Sequence, residues 1–489
     1  MRKSGILMPV SSLPGKYGIG SFSKESYEFV DFLKKANQKV WQILPLGPTG
    51  YGDSPYQSFS TFAGNPYFID LEELMKEGLL TKEECEEFFY GECECRVDYA
   101  GVYQSRQVLL KKAYERSNVA ANKEYQKFIS ENQFWLDDYA LYMAVKDALG
   151  GCSWTSWAED IKLRKPESLE MYREKLQKEI ECYQFQQYYF AKQWMKLKAY
   201  ANENGIEIIG DIPIYVSLDS ADAWSNPELF QLDENCNPKA VAGCPPDAFS
   251  TDGQLWGNPL YAWEYHKETG YDWWVKRIGY CFKLYDIVRI DHFRGFDEYY
   301  SIPNGKTAMY GHWEKGPGMS LFNTLKERLG EKQIIAEDLG YLTDTVIQLV
   351  KDTGYPGMKI LQFGFDSREE SDYLPHSYIR NSVVYTGTHD NDTTRHWFEV
   401  LDEADKKMAV DYMNLKEDAS ICSEMIRMAY ASVSDTCIIP MQDYLELGDE
   451  ARINTPSTLG MNWTWRMKAD VLTDELAERM SELVRIYKR

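Results

Sequence analysis

Short apolar segments rich in valine, isoleucine and leucine recur along the chain, and each one ends in polar or charged residues. Continuous apolar runs bounded by turn residues are typical of strands that are buried on both faces. The pattern predicts eight strands, at residues 5–12, 40–48, 206–215, 286–293, 333–340, 357–365, 382–390 and 437–445.

Helical patterns lie between most of these predicted strands. Two examples are residues 320–331 and 343–354, and the second begins with Thr343 as a cap and ends with Gly354. A repeated strand–helix–strand order requires parallel pairing with right-handed crossovers. Eight such units predict an α/β fold of the (β/α)8 TIM barrel type, with its active site at the carboxyl ends of the strands. An open doubly wound sheet would also place a site at strand ends and remains an alternative.

One connection is far too long for a single crossover. Residues 70–195 lie between the second and third predicted strands, and they are polar and helical in pattern. They predict a mainly helical subdomain inserted after strand 2, whose charged runs are the solvated faces of helices. We therefore expect residues 1–489 to form a single catalytic barrel with helical insertions.

Composition narrows the possible partners. The chain has 54 basic and 76 acidic residues, a net charge of −22, and this field would repel phosphate backbones and anionic lipids. We expect no nucleic-acid partner and no membrane partner. The apolar start is too short for a signal peptide and no later stretch could span a bilayer, so a cytoplasmic location is predicted. Aromatic residues make up 14% and offer flat faces that suit sugar rings, although cores use them too.

The ten cysteines follow no regular spacing. Cys93 and Cys95 do not form a CxxC pair, and no second pair stands at the spacing of a zinc site. We expect all ten to be free thiols in a reducing compartment.

The fourth predicted strand ends in an unusual group of charges, in the segment "RIDHFRGF". Residues two apart in a strand point the same way, so Arg289 and Asp291 share a face. The guanidinium is expected to lower the pKa of Asp291 and keep it ionised, as a nucleophile requires. A structural ion pair inside the barrel explains this strand equally well.

Further acids end other predicted strands. Glu337 follows the apolar run Ile334–Ala336, which would raise its pKa by desolvation, as a general acid needs. His389 and Asp390 end the seventh strand, and Asp211 ends the third. Because like charges within a few ångströms cannot all ionise, one acid must keep its proton. A protonated acid beside a carboxylate is the equipment of a retaining glycosidase.

Two other classes of protein remain possible. Asp291 with His292, Glu337 with Asp338, and His389 with Asp390 are pairs that a metal-dependent sugar isomerase or hydrolase would use as ligands. Against this, Arg289 would repel a cation at the centre of the group. The third class is a non-catalytic sugar-binding module.

Seven motifs carry a resemblance over about residues 5–467. They are "SPYQSFSTFAGNPYFIDL", "GDIPIYV", "PPDAFSTDGQLWGNPLY", "RIDHFRGF", "AEDLG", "GTHDNDT" and "INTPSTLGMNWTWR". Together and in this order they resemble the amylomaltases, the 4-α-glucanotransferases of glycoside hydrolase family 77 in the α-amylase clan. Many α-amylases have an asparagine–histidine pair after the third strand. "GDIPIYVSLDS" lacks it, as amylomaltases do.

The resemblance implies a role for each matched residue. Asp291 matches the nucleophile of a retaining double displacement, Glu337 matches the general acid/base, and Asp390 matches the third acid, which grips the sugar. The remaining matches imply substrate contacts in the sugar groove, at Arg289, His389, Asp211, Tyr56, Asn462 and Trp463. No metal and no cofactor are implied, and the implied substrates are α-1,4-glucans and maltooligosaccharides.

The segment 243–259 has the composition of a flexible lid. Gly243, Gly253 and Gly257 permit hinge angles, and Phe249 and Trp256 are apolar faces that a surface loop does not normally display. The resemblance implies an active-site lid loop that covers the glucan, with Phe249 and Trp256 in contact with it. An ordinary surface loop explains the segment as well. A closing lid and aromatic platforms would favour a sugar acceptor over water.

Overall fold

The computed structural model describes residues 2–50, 52–246, 252–340, 342–416 and 419–489. Within them the chain forms twelve strands: β1 (Lys3–Leu7), β2 (Val40–Gln42), β3 (Glu207–Pro213), β4 (Ala240–Cys244), β5 (Gln254–Pro259), β6 (Ile287–Asp291), β7 (Glu298–Pro303), β8 (His312–Lys315), β9 (Ile334–Ala336), β10 (Gly357–Ile360), β11 (Ser382–Tyr385) and β12 (Thr436–Pro440).

The helices follow in chain order: α1 (Lys24–Lys35), α2 (Leu71–Lys76), α3 (Lys82–Glu86), α4 (Tyr99–Arg116), α5 (Lys123–Ala148), α6 (Glu159–Lys162), α7 (Pro166–Lys175), α8 (Gln177–Glu203), α9 (Ala221–Ser225), α10 (Trp263–Glu268), α11 (Asp272–Leu284), α12 (Met319–Leu329), α13 (Asp344–Thr353), α14 (Thr394–Val400), α15 (Glu403–Met413), α16 (Ile421–Ala431), α17 (Met441–Tyr444) and α18 (Asp474–Tyr487).

Eight parallel strands close into a barrel in the order β1-β12-β11-β10-β9-β6-β3-β2, so the fold is a (β/α)8 barrel and not an open sheet. Each of the eight predicted strands overlaps one of them. The strands are mostly apolar because helices cover the outside while side chains fill the inside. The predicted helix ends of α13 are also confirmed, since Thr343 Oγ1 accepts from Val346 N and Gly354 closes the helix with φ 72°.

Helices α2–α8 lie between β2 and β3 along the chain. The long helices α5 and α8 pack against each other, and α8 also contacts α1 and α11 outside the barrel. Their buried residues belong to the same hydrophobic cluster as the barrel strands, from Leu109 and Trp135 through Phe185 to Ile290. The inserted helices therefore extend the core of the barrel and do not fold around a separate one.

A second, antiparallel sheet has the order β5-β4-β7-β8. The sequence pattern did not predict it, and β4 and β5 occupy the two ends of the segment read as a lid loop. Its strands include glycine, proline and charged residues, so no apolar run marks them. Pairing with β7 and a small cluster of Val241, Tyr300, Ile302 and Ala308 hold the sheet together.

The expectation of ten free thiols is wrong, because Cys93 and Cys95 form a disulfide. Their Cα atoms lie 5.2 Å apart, which suits the bond, although the residues are only two positions apart. Seven further cysteines are free thiols, at Cys85, Cys152, Cys182, Cys236, Cys281, Cys422 and Cys437.

Candidate active site

The register of three neighbouring strands brings the predicted acids to one end of the barrel. Asp211 on β3 lies opposite Arg289 on β6, and Pro213 lies opposite Asp291. On the other side of β6, Ile290 lies opposite Ala336 of β9, so Asp291 and Glu337 follow at adjacent positions. The carboxyl ends of these strands therefore form one mouth.

Arg289 connects two of these acids. Its Nη1 donates to both carboxylate oxygens of Asp211, at 2.7 and 2.6 Å, and its Nη2 donates to Asp291 Oδ1 at 3.0 Å. The guanidinium and Asp211 are buried, while the Asp291 side chain is 29% exposed. One fixed cation thus orients Asp291 from below and leaves part of its carboxylate open to the mouth.

Asp291 and Glu337 differ in how strongly they hold a proton. Burial raises the pKa of Asp291 to about 6, although Arg289 acts to lower it. Arg289 lowers this pKa as expected, but loss of water outweighs the nearby cation, so the net shift is upward. Burial, and then the charge of Asp291, raise the pKa of Glu337 to about 7. Asp291 therefore loses its proton first, and Glu337 keeps one near neutral pH.

The Glu337 carboxyl group is fixed by the backbone on both of its oxygens. His292 N donates to Oε2 at 2.6 Å and Leu339 N donates to Oε1 at 2.8 Å. His292, the residue after Asp291, has a left-handed conformation with φ 52°, and this turns the chain beside Glu337. The neighbouring Asp338 points elsewhere, since its Oδ1 accepts from Met358 N on β10.

His389 and Asp390 form an ion pair on the opposite side of the mouth. His389 Nε2 lies 3.4 Å from Asp390 Oδ2, and Asn454 Nδ2 donates to Asp390 Oδ1 at 2.6 Å. Burial alone would raise the pKa of Asp390, but the charge and hydrogen bond of His389 outweigh it and bring the pKa down to about 2. The same pairing raises the pKa of His389 despite its burial. Asp390 is therefore an anion at neutral pH.

Tyr56 links the two sides of the mouth. Its hydroxyl donates to Asp211 Oδ2 at 2.9 Å, and its ring stacks on His389 with centroids 5.0 Å apart. Trp463 packs beside both rings, at 5.8 Å from Tyr56 and 5.9 Å from His389. Tyr56 and Trp463 thus belong to the same cluster as the acids.

The other predicted contact residues differ in their positions. The Trp256 ring, on β5, meets His292 edge-on with centroids 4.9 Å apart, so it lies near the acids. Asn462 uses both ends of its amide within its own loop, where Oδ1 accepts from Thr455 N and Nδ2 donates to carbonyls of Thr455 and Thr458. Phe249 falls outside the described residues.

Two residues that the sequence pattern did not single out are Asn454 and Arg452. Asn454 holds Asp390 directly, and Arg452 Nη2 donates to the Asp390 carbonyl oxygen at 3.4 Å. Both stand in an irregular segment after β12, and no periodicity or charge pattern distinguishes them. Only the contact across the barrel mouth identifies them.

The side chains with a geometry suited to a metal ion are not the predicted acids. Among the described residues, the one group of three or more such side chains close enough to share an ion is Asp392, His396 and Asp449. It contains none of the pairs that the metal-dependent alternative would use, and Arg452 Nη1 lies 3.2 Å from Asp392. The acids at the mouth instead pair with Arg289, His389 and backbone amides.

A helix that crosses a bilayer must be both long and apolar. No helix in the described ranges has both properties.

A proton-holding acid beside a carboxylate is the pair of groups that glycosidic bond cleavage uses. Comparison with known proteins identifies the family. The family model described as 4-alpha-glucanotransferase matches residues 8–473. A 4-alpha-glucanotransferase of Clostridium butyricum is 54% identical over 485 residues, covering 99% of this chain and 100% of the relative. One from Streptococcus pneumoniae serotype 4 is 52% identical and covers 100% and 97%.

A solved structure agrees in fold and sequence. The amylomaltase from Streptococcus agalactiae, in complex with acarbose, superposes with a TM-score of 0.97 at 46% identity and covers 100% of both chains. The family match, the sequence identities and the structural superposition agree, and the chain belongs to the 4-alpha-glucanotransferase family, whose members are transferases acting on α-1,4-glucans.

Proposed function

We propose that the enzyme transfers α-1,4-glucan segments by a retaining double displacement in which Asp291 is the nucleophile. Asp291 attacks the anomeric carbon of the donor while Glu337 gives its proton to the departing glycosidic oxygen. The donor bond breaks, the Asp291–carbon bond forms, and the released chain takes the proton of Glu337. Glu337 then removes the proton from the 4-hydroxyl of an acceptor glucan, which displaces Asp291 and restores both groups.

The observation that supports these roles is the placement of two carboxyl groups at neighbouring positions with unequal surroundings. Asp291 ends β6 and Glu337 directly follows β9, and the pKa is about 6 for Asp291 and about 7 for Glu337. Arg289 contacts Asp291 and acts to lower its pKa, whereas Glu337 is buried and the charge of Asp291 acts to raise its pKa. Between these values one group is an anion and the other an acid.

Asp390 is proposed to be the third acid. As an anion it stabilises positive charge that develops at the anomeric carbon, and its oxygens accept hydrogen bonds from sugar hydroxyls. Arg289, Asp211, His389 and Tyr56 are proposed substrate contacts in the same subsite, because their side chains form one hydrogen-bonded cluster with the acids. Trp463 extends that cluster, and the closed amide contacts of Asn462 support a role in shaping its loop.

The segment 243–259 is proposed to act as a lid over the bound glucan. Gly253 and Gly257 have φ values of 70° and 80°, which glycine adopts without strain. Trp256 on β5 reaches His292 next to the nucleophile. Phe249 is proposed to add a second apolar face. The lid would exclude water from the covalent intermediate and so favour a sugar acceptor over hydrolysis.

The proposed substrates are maltooligosaccharides and starch chains as donors, and glucans or glucose as acceptors. The acarbose complex of the relative from Streptococcus agalactiae supports a saccharide ligand. Incubation with maltotriose is expected to give glucose and a ladder of longer maltooligosaccharides on a chromatogram. Accumulation of glucose and maltose without any longer product would refute transfer as the dominant outcome.

Trapping the intermediate tests the mechanism. With α-maltosyl fluoride, which leaves without help from an acid, the Glu337→Gln variant should form the glycosyl-enzyme and release it slowly. Intact mass spectrometry should then show one added maltosyl group on the peptide that contains Asp291. Asp291→Asn should bind maltooligosaccharides in calorimetry yet show no adduct and no turnover. If Asp291→Asn keeps full turnover, the nucleophile is misassigned; if it retains full biological activity without turnover, the protein is a binding module.

A cytoplasmic location is also proposed. Seven of the ten cysteines, among them Cys85 and Cys437, are free thiols, as is usual in a reducing compartment, whereas Cys93 and Cys95 are paired. Cell fractionation followed by assay of glucan transfer tests this, and recovery of the activity outside the cytoplasmic fraction would contradict it.

A further inference from the structure

The loop that follows β11 and carries Asp390 is held at both ends by one buried carboxylate. Thr386 Oγ1 donates to Asp443 Oδ2 at 2.5 Å, and Thr394 donates to Asp443 through its N at 2.9 Å and its Oγ1 at 2.7 Å. Asp443 is 1% exposed. These contacts fix where the loop begins and ends, but neither of them reaches Asp390.

Arg452 supplies contacts in the middle of that loop. Its Nη2 donates to the Asp390 carbonyl oxygen at 3.4 Å and its Nη1 donates to Asp392 Oδ2 at 3.2 Å. Its Nε donates to the carbonyl oxygen of Asn454 at 3.0 Å. One planar guanidinium therefore spans the segment of Asp390 and the segment of Asn454.

The two segments that Arg452 joins are the ones that meet at the Asp390 side chain. Asn454 Nδ2 donates to Asp390 Oδ1 at 2.6 Å, and Asn454 N donates to the His389 carbonyl oxygen at 3.1 Å. Asp390 has a side chain that is 45% exposed, so packing alone does not fix its direction. The direction of its carboxylate is set by His389 and Asn454, and the position of Asn454 depends on Arg452.

Asp392 orients Arg452 from the far side. Its Oδ2 accepts from Arg452 and lies 2.7 Å from His396 Nδ1 on α14, while its Oδ1 accepts from Thr393 N. The carboxylate is mostly buried, and each of its oxygens has a partner. Arg452 is therefore held in one orientation, which a surface arginine would not be.

We propose that Arg452 is a positioning residue for glucan transfer, because its guanidinium ties the backbone of Asp390 to Asn454 and so fixes the direction in which the Asp390 carboxylate faces the sugar. This inference rests on the proposed role of Asp390. Arg452 acts through Asp390 and does not contact the reacting atoms itself. Misaligning Asp390 would weaken stabilisation of the transition state more than binding of the ground state.

The first experiment compares Arg452→Gln and Arg452→Lys with wild type on maltotriose. Arg452→Gln is expected to lower kcat by about 10- to 100-fold with little change in KM, since small misplacements of this kind cost that much. Lysine keeps the charge but cannot span three acceptors, so Arg452→Lys should recover only part of the rate. Added ethylguanidinium, at concentrations far below denaturing ones, should increase kcat of Arg452→Gln.

Arg395→Gln is the matched control. Arg395 lies on α14 in the same region, its side chain is 56% exposed, and its contacts run to Glu399 and the Glu446 carbonyl oxygen. This variant should keep wild-type kcat. The circular dichroism spectrum and melting temperature of each preparation show whether the enzyme is folded, so loss of folded enzyme is separated from a slower active site.

A double-mutant cycle with Asp390→Asn tests whether Arg452 acts through Asp390. The effect of Arg452→Gln on the rate with α-maltosyl fluoride should largely vanish in the Asp390→Asn background. An undiminished effect there overturns the inference, and so does a wild-type kcat in folded Arg452→Gln. If Asp390→Asn itself reacts at the wild-type rate, the proposed role of Asp390 fails, and the inference fails with it.

Discussion

Individual side chains at the barrel mouth receive different protonation states from their surroundings. Asp390 is held as an anion by His389, and Glu337 is held as an acid by burial and by the charge of Asp291. Asp291 lies between them because Arg289 partly offsets its burial. Three chemically similar carboxyl groups thus gain three different roles from their neighbours.

The pH dependence of kcat/KM follows from two of these groups. Asp291 must be ionised, so the rate should rise as pH increases through about 6, and Glu337 must be protonated, so the rate should fall as pH increases through about 7. Initial rates on maltotriose across this range should therefore give a narrow bell. With α-maltosyl fluoride, bond cleavage by Glu337→Gln should lose the alkaline limb. A profile flat from pH 5 to 8 would contradict both assignments.

Tyr56 offers a test of a single hydrogen bond at the mouth. Tyr56→Phe keeps the ring stacked on His389 but removes the hydroxyl that donates to Asp211. A hydrogen bond to a charged group contributes about 1.5–3 kcal/mol, so kcat/KM on maltotriose should fall by about 10- to 100-fold. Tyr56→Ala removes the ring as well and should fall further. Equal rates for Tyr56→Phe and wild type would show that the hydroxyl is not used.

At the scale of secondary structure, apolar runs predicted all eight barrel strands, because strands buried on both faces are mostly apolar. The second sheet was not predicted because its strands lack such runs. Strands β5 and β8 are partly exposed, β4 and β5 include Gly243 and Gly257, and β4 pairs with the distant β7. Such strands carry no local signal, and so the segment 243–259 was read as a loop.

The strand β5 provides a matched pair of substitutions for the proposed lid. Trp256 contacts His292, whereas the adjacent Leu255 points to the opposite face of the strand and is 56% exposed. Trp256→Ala should raise KM for maltotriose and increase the share of hydrolysis, measured as free reducing ends relative to longer products. Leu255→Ala should leave both unchanged. An unchanged product ratio in Trp256→Ala would remove this residue from the lid proposal.

At the scale of the whole molecule, the buried Glu337 carboxyl group lowers the stability of the folded state as pH rises. Glu337 has a folded pKa of about 7 against an ordinary value of 4.5, so the folded state favours its protonated form. The stability that the folded state gains from protonated Glu337 is complete below about pH 4.5 and is lost as pH rises through about 7. At pH 8 a buried charge remains, and Glu337→Gln should be more stable than wild type by up to about 3 kcal/mol.

The measurement is the melting temperature of both proteins at pH 5 and pH 8. The variant should gain much more over wild type at pH 8 than at pH 5, where folded wild-type Glu337 is protonated. Arg395→Gln serves again as the control, because its melting temperature should differ from that of wild type by the same amount at pH 5 and at pH 8. A gain for Glu337→Gln that is equal at the two pH values would contradict the raised pKa.

By itself the sequence determined the eight strands and the chain positions of the acids, because burial dictates apolar runs and a strand end dictates where they stop. It also determined the family, through motifs in a fixed order. The tertiary structure decided the rest. Arg289 binding Asp211, Asn454 and Arg452 holding Asp390, and the raised pKa of Asp291 all depend on residues far apart in the chain. Desolvation and contacts between strands arise only when the barrel closes, so no local pattern encodes them.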